Sequence, residues 1–343
     1  MKNDLLDLND DEYLVSFCVP IYKYPVTDMT KCIDSILNCG LDKNDYEIII
    51  ISDGNTKSFN DELDNLLTFY TQMHGINVKT VLHLRNSGLF EARKSGVRMS
   101  RGKYICHVDC DDTLEENCLS DLNEFISNSK TEWDIIQYKY DTIFHKETRS
   151  TPKIYTNYKT RIEENSLLRL CIVEDGIPRY IWGKLIKRDI YKRILDKMPE
   201  MYINFAEDFL ALVFLTTYSK TYIYRENIKM YNYYRTDDTM TSHVNKMGKN
   251  KWDNLLSVAK VIEITKPDNF KDPDVKKCIS KVHEKYALEL YSLLTLDDIF
   301  ESDDVKKYAI DSFAKTFGAN NAKRIEKAFK YLQQHKDEFI PTK

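Results

Sequence analysis

The first third of the chain alternates short apolar runs with stretches of helical spacing, and this pattern limits the fold more than any other feature. The apolar runs occupy residues 14–21, 46–52, 78–84 and 102–109. Continuous runs of this length are typical of strands buried on both faces of a sheet. Stretches with helical spacing lie between them, for example residues 59–74 and 90–99. This order predicts an α/β domain with a mostly parallel, Rossmann-like central sheet and helices on both faces.

Carboxylates follow two of the predicted strands. Asp53 follows the second strand, and Asp109, Asp111 and Asp112 end the fourth. An unpaired carboxylate is costly to bury, so these residues are poor core material. Ligands of parallel α/β sheets bind at the carboxyl ends of the strands, and carboxylates suit hard cations such as Mg²⁺ or Mn²⁺. The sequence therefore predicts a divalent-cation site that holds the phosphates of a nucleotide.

Composition argues against several other classes of protein. The net charge of −4 gives no reason to expect nucleic acid as a partner. No apolar run approaches the about 18–20 residues needed to cross a bilayer, and the acidic residues 1–12 do not resemble a secretory signal. The eight cysteines form no CxxC pair and no zinc-type spacing with histidine. That usage favours reduced thiols in a cytoplasmic protein.

Seven segments, in order along the chain, resemble the motifs of the family 2 inverting glycosyltransferases, which have a GT-A fold. Residues 15–22 (VSFCVPIY) resemble the opening strand VSVIIPVYN, and residues 102–112 (GKYICHVDCDD) resemble the strand and aspartate motif GeYIxFLDsDD. The other segments are 47–56 (EIIIISDGNT), 85–96 (RNSGLFEARKSG), 182–185 (WGKL), 206–208 (AED) and 234–242 (YRTDDTMTS). The resemblance extends over residues 13–243, and it depends on the order of the segments because each alone is weak.

The resemblance and the composition together predict three parts of the chain. An acidic tail at residues 1–12 precedes a GT-A domain at 13–248, with a nucleotide-binding half at 13–115 and an acceptor-binding half at 116–248. Residues 249–343 follow as a C-terminal helical appendage, because the composition there changes to Lys, Asp, Glu and Leu with almost no Gly.

The resemblance implies roles for four residues on the donor side of the site. Asp111 is the expected direct metal ligand, and Asp109 is expected near the ribose and the metal. Asp53 is expected to contact the nucleotide base or ribose, although Asp-Gly is also ordinary turn chemistry. Arg93 is expected to pair with a phosphate or to buttress the aspartates, and a solvated helix arginine is the alternative.

The end of the first strand is a further candidate for base binding. Pro20 and Tyr22 lie there, where backbone groups and a ring can hold the base or can simply pack. Two departures from the family pattern affect this region and the next helix. Ser52 and Asn55 replace the first aspartate and the serine of DDGS, and in the family the position of that aspartate commonly helps to bind the nucleotide base. Lys94 replaces the asparagine of ARN and is expected to add positive charge near phosphate.

Asp208 is the candidate general base. An inverting transfer needs one carboxylate near the acceptor oxygen, on the face opposite the leaving group. Asp208 lies at the start of a predicted helix, where a carboxylate also favours the helix dipole. The adjacent Glu207 is expected to point elsewhere on that helix, because neighbours do not share a face. We predict that Glu207 lies on the acceptor or diphosphate side of the site.

Four other residues are weaker candidates. Trp182 and Lys184 are expected to line the acceptor or diphosphate side, and a buried core tryptophan is an equal alternative for Trp182. Arg235 is assigned to the same side. His243 is a candidate third metal ligand or phosphate contact, and an exposed histidine is its plain alternative.

The function predicted from the sequence is therefore metal-dependent transfer of a sugar from a nucleotide-sugar, with UDP the expected nucleotide. A glycan or glycoconjugate hydroxyl is the expected acceptor and Mn²⁺ or Mg²⁺ the expected cofactor. The alternative is a catalytically inactive binding or scaffold protein of the same fold, supported only by Ser52. A cytoplasmic location is expected, with contact between Lys-rich residues 323–343 and the inner face of the membrane as an option. Interspersed Glu and Asp there favour a solvated face, and the C-terminal helices are a natural place for self-association.

Overall fold

The computed structural model describes residues 13–144, 148–150, 166–174, 176–235, 247–296 and 299–334. The chain divides into two compact units. The first unit comprises Met1–Tyr202 and Asp208–Arg235, and the second comprises Ile203–Glu207 and Thr236–Lys343.

Within the described residues, the first unit is built on one nine-stranded sheet. The strands are β1 (Tyr13–Ile21), β2 (Tyr46–Asp53), β3 (Asn77–His83), β4 (Gly102–His107), β5 (Thr113–Leu114), β6 (Ile135–Phe144), β7 (Thr148–Ser150), β8 (Lys184–Lys187) and β9 (Tyr222–Arg235). The associated helices are α1 (Thr30–Leu37), α2 (Lys57–His74), α3 (Leu89–Met99), α4 (Leu122–Asn128), α5 (Ser166–Ile172), α6 (Arg188–Leu195) and α7 (Glu207–Tyr218). The strand order is β3-β2-β1-β4-β8-β6-β9-β5, and β7 pairs with β6.

The first four strands form the parallel sheet that the sequence predicts. β2 is parallel to β1 and β3, and β1 is parallel to β4. Every residue of β2 is buried, as expected for a strand covered by helices on both faces. Beyond β4 the sheet is mixed, because β8 is antiparallel to both β4 and β6 while β9 is parallel to β6. The α/β fold is thus confirmed, and its parallel character is concentrated in the first four strands.

The register of these strands brings their carboxyl ends to one edge. Ile21 of β1 pairs with Ser52 of β2, and Asp53 pairs with His83 of β3. β4 ends at His107, two residues earlier than the sequence predicts, because the chain then turns and the Asp112 N–H donates to the Asp109 carbonyl at 3.0 Å. Asp53 at the end of β2 and the carboxylates that follow β4 therefore share the same edge of the sheet.

The second unit is helical. Its helices within the described residues are α8 (Lys249–Ile264), α9 (Pro273–Leu294), α10 (Asp303–Phe317) and α11 (Ala319–Gln334), with a short 3₁₀ turn at Pro267–Asn269. Their apolar faces enclose a core that includes Trp252, Leu290 and Phe313. Among the residues that the structure describes, no helix combines the length and apolar character needed to cross a bilayer.

Candidate active site

The turn after β4 presents three carboxylates in different environments. Asp111 is exposed, Asp109 keeps 23% of its side-chain surface, and Asp112 is 1% exposed. The side chain of Asp112 accepts hydrogen bonds from the Tyr231 hydroxyl at 2.8 Å and from the Tyr234 N–H at 2.8 Å. The same Tyr231 hydroxyl accepts from the Asp109 N–H at 3.1 Å. Asp112 therefore anchors the turn to β9. Asp109 and Asp111 are the two carboxylates of this turn that remain accessible to a ligand.

Mutual repulsion and burial disfavour charge in this turn. Loss of water contact beside the surrounding protein is the main cause that raises the pKa of Asp111 to about 6, and the negative charge of Asp109 is the second. Burial raises the pKa of Asp112 well above its usual range, and the charges of Asp109 and Asp111 add to that shift. Like charges held close together disfavour the ionised state. A bound cation would relieve this repulsion.

Arg93 joins the turn after β4 to the start of α7. It lies on α3 and is 4% exposed. One terminal nitrogen donates to Asp109 Oδ1 at 2.8 Å, and the other donates to Asp208 Oδ1 at 2.5 Å. Asp109 and Asp208 are far apart in sequence, and this shared contact shows that they lie in one site. Of the roles considered for Arg93, the structure favours support of the aspartates over a solvated arginine.

Asp208 lies in the first turn of α7, as the sequence predicts. Its side chain keeps 21% of its surface. Burial raises the pKa of Asp208, while the charge of Arg93 opposes that rise. Two residues earlier, Ala206 has a φ of +61°. That conformation is strained for a residue other than glycine, and such strain is concentrated at functional sites.

Asp53 supports the loop that enters α3. Its Oδ1 accepts from the Ser87 N–H at 2.8 Å and lies 2.7 Å from His83 Nδ1, while Oδ2 accepts from the Gly88 N–H at 2.9 Å. The residue is 3% exposed. Because α3 carries Arg93, Asp53 helps to place the arginine. Its predicted contact with the base or ribose stays a prediction.

The end of β1 is fixed by the residue that departs from the family pattern. Asn55 Nδ2 donates to the Ile21 carbonyl at 2.9 Å, and Asn55 Oδ1 accepts from the Lys23 N–H at 2.8 Å. Tyr22, between Ile21 and Lys23, is 43% exposed, and the Lys23 Nζ lies 5.1 Å from the centroid of its ring. Pro20 is buried and pairs with Ile51 in the sheet, which favours packing for that residue.

Two lysines lie elsewhere than the sequence predicts. Lys94 is buried, and its Nζ donates to Glu91 Oε1 at 2.8 Å and to the Pro199 carbonyl at 2.9 Å. The expectation that Lys94 adds positive charge near phosphate is therefore wrong. Lys184 is fully buried and donates to the Tyr180 carbonyl at 2.5 Å. The prediction that Lys184 lines the acceptor or diphosphate side is therefore wrong, because its side chain lies inside the protein.

Trp182 belongs to a cluster of aromatic rings. It is 7% exposed and stacks on Tyr180, Tyr231 and Tyr233, with centroid separations of 3.7, 4.6 and 5.2 Å. Tyr140 meets it edge-on at 4.9 Å. These rings occupy the surface that a sugar would need, so the structure favours the core alternative for Trp182.

The contacts described above do not include the three remaining candidates, Glu207, Arg235 and His243. Glu207 is 7% exposed at the start of α7. Arg235 is exposed at the end of β9. His243 lies outside the described residues. Among the residues that the structure describes, no group of three or more His, Cys, Asp or Glu side chains is placed to hold a metal ion.

Tyr231 is a contributor that the sequence did not reveal. Tyr231 lies in an aromatic-rich strand with several other tyrosines, so nothing local distinguishes it. Gly183 next to Trp182, with its φ of +66°, is the one local sign of a special turn in this segment.

The sheet topology and the carboxylates at its edge define a protein with a GT-A-type fold. The family model described as glycosyl transferase family 2 matches residues 16–194, which is more than half of the chain. The chain belongs to this family.

Curated relatives are similar over part of their length. The uncharacterized glycosyltransferase EpsJ of Bacillus subtilis (strain 168) is 30% identical over 199 residues, which cover 57% of this chain and 54% of EpsJ. The poly(ribitol-phosphate) beta-N-acetylglucosaminyltransferase TarP of Staphylococcus aureus (strain N315) is 27% identical over 205 residues, covering 59% of this chain and 57% of TarP. The chain therefore spans little more than half the length of these relatives.

Solved structures share the fold at low sequence identity. S. aureus TarS 1–349 in complex with UDP-GlcNAc has a TM-score of 0.56 and 17% identity, and the match covers 92% of this chain and 83% of TarS 1–349. The mannosyltransferase PcManGT from Pyrobaculum calidifontis, in complex with GDP-Man and Mn²⁺, has a TM-score of 0.54 and 12% identity, with coverages of 96% and 83%. At these identities the likeness concerns the fold alone.

Proposed function

We propose that the chain is a metal-dependent inverting glycosyltransferase that moves a sugar from a UDP-sugar to a hydroxyl group of a glycan, lipid-linked or protein-linked glycan acceptor. One observation carries the proposal: Arg93 binds Asp109 and Asp208 together. This pairing provides one carboxylate for the donor and another for the acceptor. The UDP-GlcNAc complex of TarS supports a UDP-linked donor. The N-acetylglucosaminyltransferase activity in the name of TarP supports sugar transfer.

A divalent cation fits the turn after β4. The hard oxygens of Asp111 and Asp109 suit Mg²⁺ or Mn²⁺. Because Arg93 occupies Asp109 Oδ1, we assign the second oxygen of Asp109 to the cation or the ribose. Two protein ligands leave positions for diphosphate oxygens and water, which is how Mg²⁺ is usually held in phosphate sites. When bound, the cation would neutralise the charge of the leaving diphosphate.

Asp208 takes the proton of the acceptor hydroxyl in this proposal. The acceptor oxygen forms a bond to the anomeric carbon while the bond from that carbon to the diphosphate oxygen breaks. The proton passes to a carboxylate oxygen of Asp208. The raised pKa of Asp208 makes the carboxylate a stronger base than a solvated aspartate. Arg93 favours the ionised form of Asp208 and orients it.

Replacement of the base tests this assignment. We expect Asp208→Asn to lower the rate of sugar transfer by about 1,000-fold or more, because general base catalysis and orientation are both lost. The affinity for the UDP-sugar, measured by calorimetry with Mn²⁺, is expected to change by less than about threefold. Asp61→Asn, which alters an exposed aspartate of α2, is the control and is expected to behave as wild type. Undiminished transfer by Asp208→Asn would rule out Asp208 as the base.

The donor is tested by ligand-induced stabilisation. A ligand that binds the native state raises the melting temperature, so a panel of UDP-sugars and GDP-sugars with Mn²⁺ ranks the donors. Metal-dependent release of UDP from the stabilising donor separates an enzyme from the inactive scaffold, for which Ser52 is the only support. The boundaries at residues 13–248 and 249–343, the cytoplasmic location, the membrane contact and self-association stay predictions.

A further inference from the structure

A chain of three polar side chains joins the ends of β2 and β3 to the middle of α3. Asp53 is the last residue of β2, His83 is the last residue of β3, and the two are direct partners in the sheet. Asp53 Oδ1 lies 2.7 Å from His83 Nδ1, and His83 Nε2 lies 2.9 Å from Ser95 Oγ on α3. The proposed reaction assigns no role to His83 or Ser95, so this chain needs an explanation of its own.

The partners of His83 decide where its protons lie. A carboxylate only accepts hydrogen bonds, so Nδ1, which faces Asp53, carries a proton. In the neutral ring Nε2 accepts from the Ser95 hydroxyl, and in the protonated ring it donates to the same oxygen. The side chains of Asp53 and His83 keep only 4% and 14% of their surface, so water competes little for these bonds. The link to α3 therefore does not depend on the charge of His83.

The order Asp53, His83, Ser95 also matches that of a hydrolytic triad, but the position of the serine argues against such a role. Ser95 lies inside α3, which extends from Leu89 to Met99. Within a helix, each backbone N–H already donates to the carbonyl four residues earlier. The N–H groups that would form an oxyanion hole beside this serine are therefore engaged, and a supporting role for the chain is favoured.

Asp53 also holds the beginning of the same helix. Its two carboxylate oxygens accept from the N–H groups of Ser87 and Gly88 at 2.8 and 2.9 Å, and Gly88 is the N-cap of α3. Through His83 the same carboxylate reaches Ser95. At about 1.5 Å per residue, Gly88 and Ser95 are about 10 Å apart along the helix axis. One buried carboxylate thus holds α3 at two points about two turns apart.

Arg93 lies between these two points of α3. Its guanidinium donates to Asp109 Oδ1 at 2.8 Å and to Asp208 Oδ1 at 2.5 Å. The guanidinium is a rigid fork, so both bonds form only when the helix presents it at the correct angle. We propose that His83 and Ser95 are positioning residues for Arg93. They fix the rotation of α3 about its axis, so that the guanidinium meets both carboxylates at the same time. This inference rests on the proposed function.

Ser95→Ala is the first test, with Ser129→Ala as its matched control. Both serines are half-buried, and Ser129 Oγ donates to the Thr131 carbonyl at 2.7 Å in the loop after α4. The rate of UDP release is measured at saturating Mn²⁺, with the UDP-sugar that stabilises the protein most. We expect Ser95→Ala to lower this rate about tenfold, since a displacement of about 1 Å in an active site can cost about 100-fold. Ser129→Ala should keep the wild-type rate, and Ser95→Thr, which retains the hydroxyl, should keep at least about half of it.

His83→Phe removes both nitrogen contacts and keeps an aromatic ring. We expect the rate of UDP release to fall by about 30-fold, because α3 is then held only at its beginning. His74→Phe is the control: His74 is the exposed last residue of α2, and its ring stacks on Tyr70 at 5.6 Å, a contact that phenylalanine retains. Wild-type rates in both His83→Phe and Ser95→Ala would overturn the inference.

A double-mutant cycle with Arg93→Lys separates the positioning of Arg93 from a general loss of structure. Lysine keeps the charge but lacks the fork that meets two carboxylates, and we expect it to lower the rate by about 100-fold. In that background Ser95→Ala should lower the rate by less than about twofold more, because the group that it positions is already lost. A tenfold fall in both backgrounds would show general support of the fold and contradict the inference, as would a wild-type rate in Arg93→Lys.

Urea unfolding shows whether each variant is folded under the conditions of the assay. Ser95→Ala removes one half-buried hydroxyl, so it provides the decisive measurement if His83→Phe does not fold. Full transfer by Asp208→Asn would overturn the proposed function. An inactive Asp208→Asn together with a wild-type rate in Ser95→Ala would overturn the positioning role alone, which distinguishes the two failures.

Discussion

The ends of β2 and β4 carry the same residue type at the same edge of the sheet, yet the two ends are used differently. Asp53, the last residue of β2, is buried and accepts hydrogen bonds from two backbone N–H groups of the loop before α3. Asp111 after β4 is exposed, with a pKa raised to about 6. The first carboxylate stabilises the protein, and the second is available to a cation. The comparison teaches that exposure and nearby donors separate a structural aspartate from a functional one.

Asp111→Asn is expected to have the largest effect. Removal of one metal ligand should lower the rate of UDP release by about 1,000-fold, equivalent to about 4 kcal/mol of transition-state stabilisation. The free energy of unfolding should change little, since Asp111 is exposed. Initial rates at saturating Mn²⁺ and urea unfolding measure the two quantities. A wild-type rate in Asp111→Asn would show that Asp111 is not needed for the reaction, which would contradict the proposed difference between Asp53 and Asp111.

Asp53→Ala is expected to show the opposite pattern. The N–H groups of Ser87 and Gly88 would lose their buried acceptor, which should lower the free energy of unfolding by about 3 kcal/mol. Urea unfolding measures this loss, and Asp61→Ala, at an exposed position, should stay within about 0.5 kcal/mol of wild type. If Asp53→Ala is as stable as the wild-type protein and loses only donor affinity, Asp53 is a ligand residue instead.

Tyr231→Phe tests whether the Tyr231 hydroxyl stabilises the turn after β4. It removes one hydroxyl that donates to Asp112 and accepts from the Asp109 N–H. We expect the free energy of unfolding to fall by about 1–2 kcal/mol, the cost of leaving a buried carboxylate short of a donor. Thermal unfolding with Tyr218→Phe as control checks this, because Tyr218 is 45% exposed. Equal stability of the two variants would contradict the supporting role of Tyr231.

The pH dependence of metal binding gives the smallest effect. The pKa of Asp111 is raised to about 6, so its carboxylate is ionised above that pH and gains a proton below it. A protonated carboxyl group is a poor metal ligand. The apparent affinity for Mn²⁺ should fall about tenfold between pH 7 and pH 5. A calorimetric titration at each pH measures this fall. We expect a smaller fall in Asp111→Asn, because protonation of Asp111 no longer contributes to it. An unchanged slope in that variant would assign the titration to another group.

Much of the fold follows from local pattern. Continuous apolar runs predict the four parallel strands within one or two residues of their observed ends. Asp109, Asp111 and Asp208 are recognisable because carboxylates at the end of a strand or the start of a helix stand out from their surroundings. The mixed half of the sheet was harder to predict, because the pairing of β6 with β8 and β9 joins strands that are distant in sequence.

The sequence by itself determined the parallel half of the sheet, the edge at which its strands end, and the residue types gathered there. These depend on neighbours along the chain, because a continuous apolar run is typical of a strand buried on both faces. Only the tertiary structure decided which charged groups remain open. It buried Lys94 and Lys184, engaged Asp53 and Asp112, and joined Asp109 to Asp208 through Arg93. The physical reason is that solvent exposure and the supply of hydrogen-bond donors come from residues distant in sequence.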